Sequence, residues 1–172
     1  ITFLHHVHGP MWGQMLPGPL AGFGRVLEAR IAPPFYRRTQ MVTPSEATRE
    51  ELLELGFRPE RVLAVNNGVS EQFLPAADPV AARSPEPLVV AVGRLAPVKR
   101  FDELIRAAIV AKRDVPALRL EIVGSGPMRD ELDALVAAAA AEEWISFVGQ
   151  LPHDDLVERY QRAWLVASAS LA

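Results

Sequence analysis

Leu88-Val89-Val90-Ala91-Val92-Gly93-Arg94-Leu95-Ala96-Pro97-Val98-Lys99 opens on an unbroken apolar run, then turns to a glycine and two cations. Apolar residues at every position, rather than at alternate ones, are what a strand covered on both faces requires. Phe101–Arg113 then sets Phe101, Leu104, Ile105, Ala108 and Ile109 on one helical face. Asp102 and Glu103 come early and Lys112 and Arg113 late, which suits the helix dipole. Leu118–Val123 reads as the next strand, Met128–Ala141 as a helix and Trp144–Val148 as a strand. Asp154–Trp164 is a further helix and Leu165–Ala169 a last strand. Strand–helix–strand alternation with short turns predicts a parallel, doubly wound α/β sheet.

Upstream, Ser70–Pro87 changes character. Pro75, Pro79, Pro85 and Pro87 stand among small and charged residues, the composition of a linker. Before it the alternation is shorter. Ile1–Leu4 is strand-like and passes into a His-, Gly- and Pro-rich loop, His5–Pro19. Leu20, Phe23, Leu27 and Ile31 have helical spacing, which Pro33-Pro34 is expected to interrupt. Gln40–Val42 is strand-like. Thr43-Pro44-Ser45-Glu46 has the form of a capping box with Thr43 as cap, and Gly56 suits the end of that helix. Arg61–Val65 is another strand, and Asn66-Asn67-Gly68 reads as a tight turn with Gly68 at positive φ.

The composition excludes several classes. At 172 residues the chain is one domain or two small pieces. With 49% hydrophobic and 23% charged residues it is globular rather than disordered. A net charge of −3 lacks the footprint of a nucleic-acid binder, so no nucleic-acid partner is expected. The absence of cysteine removes disulfides, thiolate zinc sites and cysteine nucleophiles. No apolar stretch is long enough for a membrane helix. The chain starts on a strand and stops just after one, which reads as an internal piece of a larger protein.

Candidate chemistry gathers at strand ends. Gly93 lets a ligand approach the backbone, and Arg94 and Lys99 can converge on one anion with the helix opening near Phe101. Two solvated cations in a surface loop are the plain alternative. Val123-Gly124-Ser125-Gly126-Pro127 is a second strand–turn–helix junction, without the third glycine of a dinucleotide fingerprint. On the same sheet edge as Arg94 and Lys99 it makes a backbone-lined phosphate or sugar pocket. His5-His6-Val7-His8 follows a strand, and His6 and His8 share a face if extended. No third ligand follows at a useful spacing, so no metal is assigned. Hydrogen bonding at the strand end and a role in a cleft both remain open. Trp12 is either a stacking platform or a core anchor. The His153-Asp154-Asp155 acidic pair reads as helix capping.

Taken in order, these motifs resemble the retaining glycosyltransferases of family 4, the group 1 enzymes with the GT-B fold. Val42-Thr43-Pro44-Ser45, Asn67-Gly68-Val69 and Phe73-Leu74-Pro75 are similar to the end of that family's N-terminal domain. Val92-Gly93-Arg94-Leu95 with Lys99, Ile122-Val123-Gly124-Ser125-Gly126-Pro127 and Phe147-Val148-Gly149 are similar to the first half of its donor domain. The resemblance implies two incomplete Rossmann-type pieces. Residues 1–72 would be the C-terminal part of the N-terminal acceptor domain, 73–87 a linker and 88–172 the first half of the nucleotide-sugar domain.

It further implies transfer of a hexose from a UDP- or GDP-sugar to a carbohydrate or lipid-linked acceptor, with retention and without a metal or other cofactor. His6, Arg94 and Lys99 take the catalytic roles, His6 being favoured over His5 and His8 for the sugar. Gly93, Arg94, Lys99, Gly124, Ser125, Gly126, Val148, Gly149, Gln150 and Leu151 hold the donor. His5, His8, Trp12, Asn67 and Gly68 lie on the acceptor side. The implied place is the cytoplasm at the inner membrane face, with membrane contact through regions outside this chain. Two features depart from the family. Arg100 stands where a glycine commonly follows the lysine, and the family's pair of glutamates would fall beyond Ala172. The chain by itself is therefore expected to be inactive. A GT-B epimerase or phosphorylase, and a non-catalytic nucleotide-sugar binding protein, are the alternative readings.

Overall fold

The computed structural model describes residues 1–170, so Leu171 and Ala172 of the expected donor-domain piece lie outside the described residues. Two units are present, Ile1–Val69 and Ser70–Ala172.

In the first unit, β1 (Thr2–Phe3), β2 (Met41–Thr43) and β3 (Val62–Ala64) form a parallel sheet in the order β1-β2-β3. Phe3 lies opposite Val42, and Val42 opposite Leu63. The expected loop after β1 is in part helical, with a 3-10 turn at Gly9–Met11 leading into α1 (Trp12–Met15). α2 (Gly18–Val26) follows and continues through a π turn, Leu27–Ile31, into α3 (Ala32–Tyr36). Pro33 and Pro34 therefore do not end the helix. They sit in its last segment, after a π turn in which Ala32 N–H donates to the Leu27 carbonyl. The wider turn falls where the two prolines remove donors from the α ladder.

α4 (Glu46–Glu54) starts two residues later than the sequence suggested. Its cap is Ser45, whose Oγ accepts the Thr48 N–H at 3.2 Å, while Thr43 belongs to β2. At its other end Gly56 has φ +89°, with Gly56 N–H bonded to the Leu53 carbonyl at 2.9 Å and Phe57 N–H to that of Leu52 at 3.1 Å. This is a Schellman closure, and Leu52 and Phe57 join Met41 and Val62 in the core. Residues 66–69 form no tight turn, and Gly68 is not at positive φ. β2 and β3 run parallel, so the chain leaving β3 has no neighbouring antiparallel strand to enter.

The second unit carries β4 (Leu88–Val92), β5 (Arg119–Val123), β6 (Ile145–Gly149) and β7 (Leu165–Val166) in the order β6-β5-β4-β7, all parallel. Its helices are α5 (Pro79–Ala82), α6 (Phe101–Ala111), α7 (Arg129–Ala138) and α8 (His153–Arg162). Ala91, Leu120 and Ile122 pack with Phe101 and Ile105 of α6 and Leu132 and Val136 of α7. Leu88, Val90 and Val123 pack on the opposite face, with Leu151 and with Leu156 of α8. Coverage of both faces is the reason β4 reads as a continuous apolar run.

Residues 73–87 are fastened to α8. Phe73 lies 4.6 Å from the His153 ring and 5.8 Å from that of Tyr160. Gln161 Nε2 donates to the Leu74 carbonyl at 3.0 Å and Trp164 Nε1 to that of Ser84 at 2.7 Å. α8 itself begins at His153 with Pro152 as its cap position and no capping side chain. Asp154 and Asp155 lie in the first turn, where they complement the dipole rather than cap.

Candidate functional site

The strand order reverses at β4. The chain steps from β4 to β5 to β6 in one direction, then returns to place β7 on the other side of β4. In open α/β sheets the crevice beyond the strand C-termini at such a reversal is where ligands sit. A cavity of about 550 Å³ lies at the ends of β4 and β5, walled by Gly93, Arg94, Gly124, Ser125 and Gly126. Gln150 and Leu151, just beyond β6, complete the polar and apolar sides.

Backbone bonding holds this wall. Gly93 N–H donates to the Val123 carbonyl at 3.0 Å, Leu95 N–H to that of Ser125 at 2.9 Å, and Met128 N–H to that of Leu95 at 3.1 Å. The two loops lie so close that side chains have no room. A Cβ on Gly126 would stand 2.7 Å from the Leu95 backbone nitrogen, and Gly124 meets Gly93 in the same way with φ +139°. The glycine turn is thus demanded by loop-to-loop contact, and it leaves the ligand-facing surface as bare backbone.

Arg94 is exposed, and among the described residues it makes no ion pair or side-chain hydrogen bond. An uncommitted guanidinium on a backbone-lined wall is suited to a phosphate-like anion. Lys99 is exposed on the 3-10 turn Pro97–Lys99, just outside the residues that line the cavity. Arg100 follows at φ +49°, the left-handed conformation that glycine adopts without strain, and pairs with Glu103 at 3.4 Å. No side chain caps α6, but Asp102 and Glu103 occupy its first turn and oppose an anion there.

Two further expected donor residues serve the scaffold rather than the wall. Val148 packs into the core beneath, and the Gly149 carbonyl accepts the Gly124 N–H at 2.8 Å. Val92, Val123 and Leu156 line the cavity and were missed. Leu156 was legible as an apolar position on a largely polar and charged helix; the two valines read only as core.

In the first unit, the segments after β1, β2 and β3 share the C-terminal edge of the sheet. This places His5–His8, Thr43–Ser45 and Asn66–Gly68 along one edge. His5 and His6 are exposed, as are Asn67 and Gly68. His6 and His8 do share a face, with ring centroids 4.6 Å apart, and His8 lies 4.8 Å from the Trp12 ring. Trp12 is an anchor, because its indole fills the space over Gly24, where a Cβ would come within 2.6 Å of the ring. Thr43 is fully buried, and its Oγ1 has no hydrogen-bond partner among the described residues.

Glu28 carries no local sequence signal. Its carboxylate accepts the His8 N–H at 2.7 Å, the Gly9 N–H at 2.8 Å and the Trp12 indole N–H at 3.0 Å. Burial pushes the Glu28 pKa up, but the His8 and Gly9 N–H groups, the Trp12 indole and the His8 ring together bring it below its ordinary value. Among the described residues no group of three His, Asp or Glu side chains is placed to hold a metal ion, and no helix is long and apolar enough to cross a membrane.

Residues 76–172 match the family model described as glycosyl transferases group 1. The D-inositol 3-phosphate glycosyltransferase of Nocardia farcinica is 36% identical over 145 residues, covering 76% of this chain and 32% of that protein. The alpha-monoglucosyldiacylglycerol synthase of Acholeplasma laidlawii is 29% identical over 101 residues, covering 59% of this chain and 25% of that protein. Among solved structures, HepE of Anabaena in complex with UDP and glucose superposes with a TM-score of 0.74 at 19% identity, over 99% of this chain and 46% of that one. That likeness extends the partial GT-B fold over both units. The chain spans about a third of the length of the first curated relatives it matches. With the family model covering more than half of its residues, the chain belongs to the group 1 glycosyltransferases.

Proposed function

We propose that the protein containing this chain transfers a hexose from a nucleotide diphosphate sugar, with retention, as the family 4 enzymes do. The observation that carries the reading is the glycine-walled cavity at the sheet reversal with the unpaired Arg94 on its rim. Diphosphate departure builds negative charge, and a guanidinium with bare backbone around it stabilises that charge without a divalent metal. Gly93, Arg94, Gly124, Ser125 and Gly126 hold the diphosphate, and Gln150 and Leu151 the nucleoside. Lys99, exposed on the turn that follows β4, is assigned to the same diphosphate. UDP, which accompanies the solved relative, and GDP are the two donors to test.

His6, exposed at the edge of the first sheet, is assigned to the sugar, with Asn67 and Gly68 on the acceptor side. The acceptor is a carbohydrate or a lipid-linked one, and the protein works in the cytoplasm at the inner membrane face. In domain terms, residues 1–72 belong to the acceptor domain and 88–172 to the donor domain, joined through 73–87. This chain alone is inactive. The test is product analysis with the full-length protein and donors labelled at the anomeric carbon. A glycoside whose anomeric configuration matches the donor supports the reading. An inverted product removes retention, and an epimerised donor or phosphorolysis replaces transfer by the alternative chemistry.

A further inference from the structure

Glu28 is an acidic residue in the middle of a helical segment, yet the end of the histidine segment at His8–Gly9 is tied to it. Ala21, Gly24 and Glu28 recur on one face of the α2 helix and its continuation, and Ala21 and Gly24 are buried there. The carboxylate takes both consecutive N–H groups at His8 and Gly9 and also the Trp12 indole, so both of its oxygens are used. Its Oε1 lies 3.5 Å from the His8 Nδ1 as well. Gly9 has φ +44°, a sharp change of direction immediately after His8, and the charged acceptor secures that bend. Glu28 stands within the π turn Leu27–Ile31, and π turns within helices are concentrated at functional sites. A salt bridge on the surface would not need this arrangement. Three donors from one short segment converging on one carboxylate fix the path of that segment and, through the tilted His6–His8 ring contact, the outward ring of His6.

We propose that Glu28 is a positioning residue, its carboxylate fixing the bend at His8–Gly9 and so the orientation of His6. This rests on the transferase reading, which assigns His6 to the sugar. Glu28 touches no substrate. It acts through the segment it holds, and its loss is felt in turnover rather than in donor binding.

The test uses the full-length protein with Glu28→Gln, Glu28→Asp, His6→Ala and the Glu28→Gln/His6→Ala pair. Glu28→Gln is expected to lower kcat by about tenfold or more with KM for the nucleotide sugar within about twofold. It should also speed amide hydrogen exchange at His8 and Gly9. In the double variant the two losses should not multiply, because both act through one ring. Glu28→Asp keeps the charge on a shorter arm and is expected to fold and fall between wild type and Glu28→Gln. Multiplying losses, or wild-type kcat in Glu28→Gln, overturn the proposal while leaving the transferase reading intact. A wild-type protein that transfers no sugar from any nucleotide donor overturns the transferase reading itself, and the positioning role with it.

Discussion

Gly124 and Gly93 meet backbone to backbone, and a Cβ on Gly124 would stand 2.9 Å from the Gly93 carbonyl carbon. Gly124 also has φ +139°, so a side chain there meets both a collision and a strained backbone. Gly124→Ala is therefore expected to destabilise the second unit by about 3 kcal/mol. The midpoint of chemical denaturation measures it. A loss below about 1 kcal/mol, the size of an ordinary surface change, would mean that the two loops are not in contact.

The residue after Lys99 gives the opposite sign. Arg100 holds φ +49° with a Cβ, which costs about 1 kcal/mol or more relative to glycine. Its compensation is a half-exposed ion pair with Glu103, worth less than that. Arg100→Gly is expected to raise stability by about 0.5–1 kcal/mol, read as a higher melting temperature. A lower one would show that the guanidinium contributes more than its ion pair suggests.

Thr43 fills a fully buried site at the end of β2 with an Oγ1 that lacks a partner among the described residues. Thr43→Val keeps the shape and removes the unsatisfied hydroxyl. It is expected to stabilise the fold by about 1 kcal/mol. Destabilisation on denaturant titration would reveal a partner for that oxygen.

Glu28 links the histidine segment to pH. Its folded-state pKa lies below its ordinary value, so its contribution to stability is complete above about pH 4.5, the unfolded value. That contribution is lost as the pH falls through the lower folded value. Acid unfolding of Glu28→Gln should therefore show a shallower pH dependence below pH 4.5 than wild type, measured by melting temperature against pH. Parallel curves would show that the carboxylate is not held by His8, Gly9 and Trp12.

How much of this was legible depended on the range of the interaction involved. β4 was read to its last residue because burial on both faces leaves a continuous apolar run, and Gly56 because a helix end imposes a local rule on one position. Pro33-Pro34 misled because the neighbouring π turn, not the prolines, decides how the helix continues. Gly68 misled because Asn-Asn-Gly is a turn signal only where the next strand turns back, and β3 has no such partner. Arg94 and the Gly124–Gly126 turn, read from their places after strands, line the cavity at the sheet reversal. Lys99 was placed with Arg94 by spacing, and it lies on the 3-10 turn that follows β4. Glu28 was invisible because its partners lie 16 to 20 residues away and two of the three bind it through backbone N–H groups, which no side-chain pattern records.

The most direct measurement of the central claim is calorimetric titration of UDP and GDP into the full-length protein and its Arg94→Ala variant. One charge-assisted contact to a phosphate is worth about 1.5–3 kcal/mol, so Arg94→Ala should weaken the bound nucleotide by about 10- to 100-fold. The melting temperature should be unchanged, because the Arg94 side chain makes no ion pair or hydrogen bond among the described residues. Equal affinity in the two proteins would contradict the placement of the diphosphate at this cavity.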